Sequence, residues 1–448
     1  MDNLNEYMSK FFIKGVYLLC TDKNDNYNIK LINEKSFICG SFWAISGLSA
    51  LKWDINQEDL KRVLRRLRMC IKTSKIAENL GVKGGDTQTN CTNKMKGFCE
   101  FTDQNLYETN VQSTLYAIQI FYMVKRLKQF EKYELDDLLL DDEEVECVIN
   151  YVKELYDKKI GCFYNVNRKA LNEYNSNNRL PNTPFRADLR HTMAALCTIN
   201  LCYKILGYSD EEIQKKLENE INVELTNKWL KEHFNDDGGI SLQIGGESNV
   251  AGCFCFIGSM ILIKKLDSLS TSRIRRLVLW LLERISISGG VNGRVGKSKD
   301  ICYVWWNLAT LTLIKGNYRK STKLFNENVA RKMLEFIAIS QNEDGGFSCN
   351  KSSNVSDPYH SFTAILSISL LKEYLITNDK VVTEDNMDGT GDHTMDSNTD
   401  TGVDLNVTSD TGINVGDTTE NKGIGFSRIC VDEICRINPL YAIPCNDW

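Results

Sequence analysis

Ser288-Gly-Gly-Val-Asn-Gly-Arg-Val-Gly-Lys-Ser-Lys-Asp-Ile-Cys-Tyr-Val-Trp-Trp-Asn307 packs a glycine-rich turn, three cations and the start of an apolar run into twenty residues. Gly289, Gly290 and Gly293 mark a flexible turn, while Ile301, Val304, Trp305, Leu308, Leu311 and Leu313 have the spacing of a buried helix starting near Asp300. The Asp300 carboxylate suits an N-cap. Arg294 and Lys297 then precede a helix N-terminus, where unpaired backbone N–H groups and the macrodipole favour an anion. The loop is suited to phosphate, and Tyr303 adds a hydroxyl donor.

Asp300 at the cap and Cys302 in the first turn can converge as half of a metal site. A third ligand must come from elsewhere, and the chain has four histidines: His191, His233, His360 and His393. Only His360 stands in a comparable setting, Ser356-Asp-Pro-Tyr-His-Ser-Phe362, at the start of another apolar helix. By residue type alone, an N-cap, a core cysteine and a satisfied histidine are the plainer account of these three. Surface charge and a core tyrosine are likewise the plainer account of Arg294, Lys297 and Tyr303.

Working outward, the same design recurs. Apolar helices are predicted over 34–51, 109–124, 188–205, 249–264, 300–314 and 357–371, and polar-faced helices over 56–67, 143–157, 209–219, 272–285 and 325–339. Glycine turns punctuate the repeat at Gly97, Gly161, Gly238, Gly289 and Gly345; the last three fall 51 and 56 residues apart, and the longer early intervals carry polar insertions. A period near fifty with two helices per unit means a helical array. Apolar helices ringed by amphipathic ones give an all-α fold, an α/α barrel with a central cavity, read here as one domain over residues 1–448.

The 448 residues, 42% hydrophobic and 10% aromatic, can fill such a core. Sixteen cysteines lie scattered through apolar segments with no secretory signal, the pattern of reduced thiols in a cytoplasmic protein. The longest apolar run, 254–263, is too short for a membrane span. Charge is uneven. Residues 378–424 hold eleven Asp and Glu against two Lys, a net of -9, so the remaining chain carries +4 of the overall -5. That stretch is low in complexity and aromatic content and is expected to be disordered. Polar loops are also expected at 79–96 and 165–184. A body of +4 suits a small anion and does not suggest nucleic acid.

The pattern GGxNGRxxKxxDxCYxWWxLA at 289–309, followed by GGF at 345–347 and DPxH at 357–360, resembles the β subunits of protein prenyltransferases, most of all the type II, Rab geranylgeranylating kind. The resemblance covers most of 8–375 and 429–444. It implies the same barrel, one zinc ion per β subunit on Asp300, Cys302 and His360, and diphosphate held by Arg294, Lys297 and Tyr303. Arg190 matches an arginine lining the lipid diphosphate pocket; its plainer role is an ion pair with Asp188. Trp43, Phe42, Trp306 and Tyr359 would line the lipid pocket. A family tryptophan that shortens this pocket is replaced by Cys39, which points to a twenty-carbon donor, geranylgeranyl diphosphate. An α subunit and an escort protein presenting a Rab GTPase are the implied partners.

Two departures stand out. Where the family has a Glu-Ser-His whose histidine binds diphosphate, Glu247-Ser248 is followed by Asn249, or the histidine's place falls to Val250 if the alignment is anchored on Ala251-Gly252, and neither carries a charge. Asn350 stands where farnesyltransferase has a magnesium-linked aspartate, which leaves magnesium use open. The acidic run 136–142 reads as caps for the following helix more than as a magnesium motif. The terminal Cys445-Asn-Asp-Trp448 has a polar middle that makes it a poor prenylation signal.

Overall fold

The computed structural model describes residues 35–73, 95–100, 108–167, 187–317, 325–385 and 434–445. Within them, six apolar helices form an inner ring: α1 (Phe37–Ala50), α3 (Val111–Arg126), α5 (Leu189–Ile205), α8 (Val250–Leu262), α10 (Ile301–Asn317) and α12 (Pro358–Asp385). Each packs on the next in that order, and α12 closes the ring against α1. Aromatic contacts fix a parallel register. Phe42 meets Tyr116 and Phe362, Trp43 meets Tyr359, and Phe254 meets Trp306, with centroids 5.3, 5.4, 5.1 and 4.8 Å apart in that order. All of these residues lie in the first two turns of their helices. The Leu189 N–H bonded to the Leu242 carbonyl at 3.0 Å brings the start of α5 to the loop that enters α8. All six N-termini therefore face one end, the mouth.

The outer ring is α2 (Gln57–Met69), α4 (Asp142–Glu154), α6 (Asp210–Glu220), α7 (Val223–Lys231), α9 (Thr271–Leu282) and α11 (Glu327–Ala338). The α2 sequence explains its placement. Asn56 caps its start, Glu58 and Asp59 sit in the first turn, and Arg66 and Arg68 in the last, as the macrodipole favours. Leu60, Val63, Leu64 and Leu67 make one buried stripe, each adding about 2 kcal/mol of apolar burial. Outer and inner helices share one continuous core.

Three repeats end their outer helix in the same turn. Asn235, Ser286 and Asn342 each donate a backbone N–H to the carbonyl four residues on, at 3.0, 2.9 and 2.9 Å. The first glycine of each pair, Gly238, Gly289 or Gly345, has φ of 90, 80 or 87°. At Gly289 an added Cβ would lie 2.0 Å from the Lys332 carbonyl, so both conformation and space require glycine.

The opposite end is plugged. Strands β1 (Ile437–Asn438) and β2 (Ile443–Pro444) form a hairpin across the inner-helix C-termini. The Ala442 carbonyl accepts from Ser46 at 3.0 Å, the Tyr441 carbonyl from Gln119 at 2.7 Å, and the Tyr441 hydroxyl donates to Asn200 at 2.6 Å. Cys435 N–H reaches the Ala50 carbonyl at 2.7 Å. One short segment thus ties α1, α3 and α5 together.

The predicted helices are all present, with ends shifted by a few residues. The interval before Gly238 differs: it holds α7 as well as α6, and α7 buries Trp229 and Leu230. The last inner helix runs to Asp385, past the start of the acidic stretch at 378. The rest of that stretch, most of 79–96 and most of 165–184 lie outside the described residues. None of the described cysteines is in a disulfide, and no described helix is long and apolar enough to cross a membrane.

Candidate active site at the barrel mouth

Five inner helices begin with an Asp or Asn whose side chain caps the first turn; Asn110 does so at α3, accepting the Ser113 N–H at 2.9 Å, and the other four lie at the helices that carry the candidate site residues. Asp300 accepts the Cys302 N–H at 2.8 Å, Asp357 the His360 N–H at 2.9 Å, Asp188 the Arg190 N–H at 3.0 Å, and Asn249 the Ala251 N–H at 2.8 Å. The cap fixes where each helix starts, and so where the residue one to three positions later points.

At α10 and α12 this brings the predicted ligands together. The ligand atoms of Asp300, Cys302 and His360 lie within 4.8 Å of one another. His360 Nε2 is 3.2 Å from Asp300 Oδ1, and His360 Nδ1 is 2.5 Å from Asp357 Oδ2. Asp357 therefore turns Nε2 toward the cluster. Burial alone would lower the His360 pKa, but the Asp300 and Asp357 carboxylates push it up to about 12. The Cys302 thiol is raised to about 12, first by burial, while the His360 ring counters. A partly buried carboxylate, thiol and imidazole, oriented by a further carboxylate, are a donor set for a divalent transition metal, and zinc fits it. Among the described residues no other such cluster occurs.

The anion side is built from two neighbouring loops. The Gly293 carbonyl accepts the Val250 N–H at 3.0 Å, joining the loop before α10 to the start of α8. A Cβ on Gly293 would lie 2.1 Å from the Tyr303 ring, so glycine lets the loop lie flat on that ring. Burial raises the Tyr303 phenol pKa, with Cys302 and Asp300 adding to it; the Asn249 amide and Arg294 oppose it. The Arg294 guanidinium is 2.9 Å from Glu247 Oε2. Lys297 is exposed at the loop tip, and Lys299 Nζ donates to Ser288 at 2.9 Å.

Arg190 pairs with Asp188 through two contacts of 2.9 and 2.8 Å, with half of its side chain exposed. Burial opposes ionisation of Asp188, but Arg190 holds its carboxyl below the ordinary range. Asn350 is engaged at both ends, donating to the Lys299 carbonyl at 3.2 Å and accepting from Ser352 N–H at 2.9 Å. Asp141 caps α4, as read from the sequence.

An aromatic wall leads from the ligand cluster across the barrel. Trp306 Nε1 donates to the Tyr359 hydroxyl at 3.0 Å; Tyr359 packs on Trp43, and Trp43 on Tyr116 at 6.3 Å. Cys39 sits in the first turn of α1. It belongs to the side wall at mouth level, while the plug closes the barrel end. Tyr116, Cys255 and Glu247 were not singled out from the sequence. Tyr116, Cys255 and Trp306 are each the sixth residue of their helices, a register that aligned helix starts would have exposed.

The description "prenyltransferase alpha-alpha toroid domain" matches residues 17–443. The chain is 34% identical over 142 residues to the geranylgeranyl transferase type-2 subunit beta of Saccharomyces cerevisiae, covering 31% of this chain and 40% of that protein. To the geranylgeranyl transferase type-1 subunit beta of Arabidopsis thaliana it is 30% identical over 185 residues, 40% of this chain and 44% of that one. The aligned stretches thus span less than half the length of either relative. The structure of Candida albicans protein geranylgeranyltransferase-I complexed with GGPP superposes with a TM-score of 0.60 at 18% identity, covering 99% of this chain and 96% of that one, a likeness of fold. With the matched region spanning nearly the whole barrel, the chain belongs to the prenyltransferase α-α toroid family.

Proposed function

We propose that the chain is the catalytic β subunit of a type II protein geranylgeranyltransferase, joining a geranylgeranyl group to C-terminal cysteines of Rab GTPases. The observation that carries this is the convergence of Asp300, Cys302 and His360 beside the Arg294 and Tyr303 loop, a metal donor set next to an anion donor set. The type-2 β subunits among its relatives support the Rab assignment. An α subunit and an escort protein that presents the Rab complete the working enzyme, which acts in the cytoplasm.

Asp300, Cys302 and His360 would hold one zinc ion, which lowers the pKa of an acceptor thiol at an open fourth position. The acceptor sulfur forms a bond to C1 of geranylgeranyl diphosphate as the C1–O bond breaks. The electron pair leaves with diphosphate, and the thiol proton goes to solvent. Arg294, Lys297, Tyr303 and the inner-helix N-termini stabilise the charge developing on the departing oxygen. Arg190 adds a cation on the far side of the mouth. Trp43, Trp306 and Tyr359 hold the lipid, and Cys39 leaves room for its last isoprene unit.

A second reading, a type I geranylgeranyltransferase or farnesyltransferase β subunit acting on CaaX proteins, is favoured by the match to a type-1 β subunit. A barrel serving only as a scaffold is the third. The αβ complex is to be given labelled geranylgeranyl diphosphate with either a Rab and its escort protein or a CaaX peptide. Labelled Rab is expected. Labelled CaaX peptide alone selects the second reading, and a complex that neither contains zinc nor labels an acceptor is the scaffold.

A further inference from the structure

The shoulder between α8 and α9 carries a cationic surface that the proposed transfer reaction does not use. α8 ends at the plugged end of the barrel and α9 starts there, because only residues 263–270 separate them. Lys264 is exposed in that connection, and Asp267 is its only carboxylate. Lys264 stands at φ 51° in the same helix-ending turn that Gly207, at 88°, makes after α5, so a conformation natural to glycine here holds an ammonium group out to solvent. Arg273, Arg275 and Arg276 follow on the exposed side of α9. Every other outer helix has an acidic residue in its first turn; α9 has none, and Arg273 sits at the positive end of its helix dipole. The Arg273 guanidinium lies over the Phe234 ring at 5.3 Å, and Arg276 donates to the Asp236 carbonyl. Neither of these, nor Arg275 or Lys264, pairs with a carboxylate among the described residues, while Glu224 is held by Lys265 at 2.6 Å.

The chain itself supplies a matching anion. Residues 386–424 hold eight Asp and Glu against one Lys, a net of -7. Both anchors of this stretch lie at the plugged end. α12 starts at the mouth and, with 28 residues against 13 to 17 in the other inner helices, runs past that end. The chain resumes at Ile434, and the next residue, Cys435, bonds the Ala50 carbonyl at 2.7 Å. A groove of about 700 Å³ connects the anchors with the shoulder, since Glu373 of α12, Arg436 of the plug and Lys264 all line it. In it Lys204 pairs with Asp210 and Arg436 with Glu373, at 2.6 and 2.7 Å, which leaves Lys264 as the cation to be matched.

We propose that residues 386–424 dock along this groove onto Lys264, Arg273, Arg275 and Arg276, as an intramolecular partner for the shoulder. A single exposed ion pair contributes little, but a stretch tied at both ends meets several cations at high effective concentration, so the pairs act together. The docked stretch lies away from the mouth and leaves zinc and diphosphate binding unchanged.

Carbodiimide coupling, which joins a carboxylate to an amine in contact with it as an amide with loss of water, tests this on the full chain, alone and with its α subunit. Arg273→Lys and Arg276→Lys keep the charge and put amines on α9; Arg62→Lys and Arg65→Lys do the same on the exposed side of α2, as the control. Mass spectrometry of the digested product is expected to show links from Lys264 and from both substituted α9 positions to acids of 386–424, about tenfold more abundant than links from α2 to the same acids. The α9 links should fall about tenfold near 1 M salt, where the Debye length is about 3 Å. Arg275→Glu with Arg276→Glu should weaken the Lys264 links, with the urea midpoint confirming an intact fold. Equal links from α9 and α2, Lys264 links that ignore the charge reversal, or links only to acids of the α subunit overturn the proposal.

Discussion

At the mouth the inner helices present six N-termini, and at the other end of the same barrel residues 434–445 lie across their C-termini. The mouth leaves cations exposed, keeps a carboxylate, a thiol and an imidazole within 4.8 Å, and surrounds them with loops. At the far end polar side chains bind the plug: Ser46, Gln119 and Asn200 all meet it, and it buries Ile434, Ile437, Tyr441 and Ile443. Parallel dipoles make the difference useful. They attract an anion to the open end, while carbonyl-rich C-termini need the plug's donors or solvent. Function should therefore fail at the mouth without loss of fold, and stability should fail at the plug without loss of the metal site.

The largest expected effect is at the mouth. Cys302→Ala or His360→Ala should remove stoichiometric zinc, read by elemental analysis, and abolish transfer, while geranylgeranyl diphosphate still binds within a few-fold. Arg294→Ala should do the reverse, keeping zinc and weakening diphosphate binding. Full zinc retention in both ligand variants would break the site assignment and the enzyme reading with it.

At the plug, Tyr441→Ala removes a buried ring and the hydroxyl bonded to Asn200. Truncating a buried aromatic costs about 3–5 kcal/mol, to be read as a lower midpoint in urea unfolding. Zinc content below the transition should not change. An unaltered midpoint would mean that the plug only rests on the barrel.

A third test lies at His233. It is fully buried after α7, both ring nitrogens lack a hydrogen-bond partner, and the ring stands edge-on to Trp229 at 4.4 Å. Burial lowers its pKa from 6.5 to about 4, with Asp188 opposing weakly. The unfolded chain therefore binds a proton at a higher pH than the folded one. The neutral ring's contribution is fully present above pH 6.5 and is lost as pH falls toward 4, up to about 3 kcal/mol. Urea midpoints measured across that window should decline, and His233→Leu should flatten this part of the decline. An equally steep decline in the variant would assign the acid sensitivity to other groups.

How much of this was legible in the sequence follows from what each signal depends on. Helix starts were readable because caps are local: Asn56 and Asp300 announce themselves by type and position. The repeat was readable because a glycine at positive φ leaves a mark in any chain. Convergence is not local. Nothing in residues 243–249 says that Glu247 will pair with Arg294; that follows from Gly293 accepting the Val250 N–H across two repeats. The second outer helix α7, nine residues long, is not among the predicted helices because the extra length of its interval is assigned to the polar insertion at 165–184.

The smallest expected effect sharpens where the lipid runs. If chain length were set by barrel depth, the plug would decide it, and a first-turn residue would be indifferent. Cys39 lies in the first turn of α1, with its thiol 3.4 Å from the Ser36 carbonyl and its pKa raised to about 11, chiefly by burial. The thiol is thus neutral and inert toward the donor at ordinary pH. The wall running from Trp306 through Tyr359 and Trp43 to Tyr116 stays within the first two turns of the inner helices. A lipid following it crosses the barrel below the mouth and ends near Cys39. Cys39→Trp places an indole at that end, where the fourth isoprene unit would lie, and should move the fifteen- to twenty-carbon donor ratio in direct competition by about tenfold, equivalent to ~1.4 kcal/mol. Zinc content and the urea midpoint should stay close to those of the unmodified chain. An unchanged ratio would place the lipid tail along the barrel axis toward the plug, and Tyr441 would then become the residue to vary.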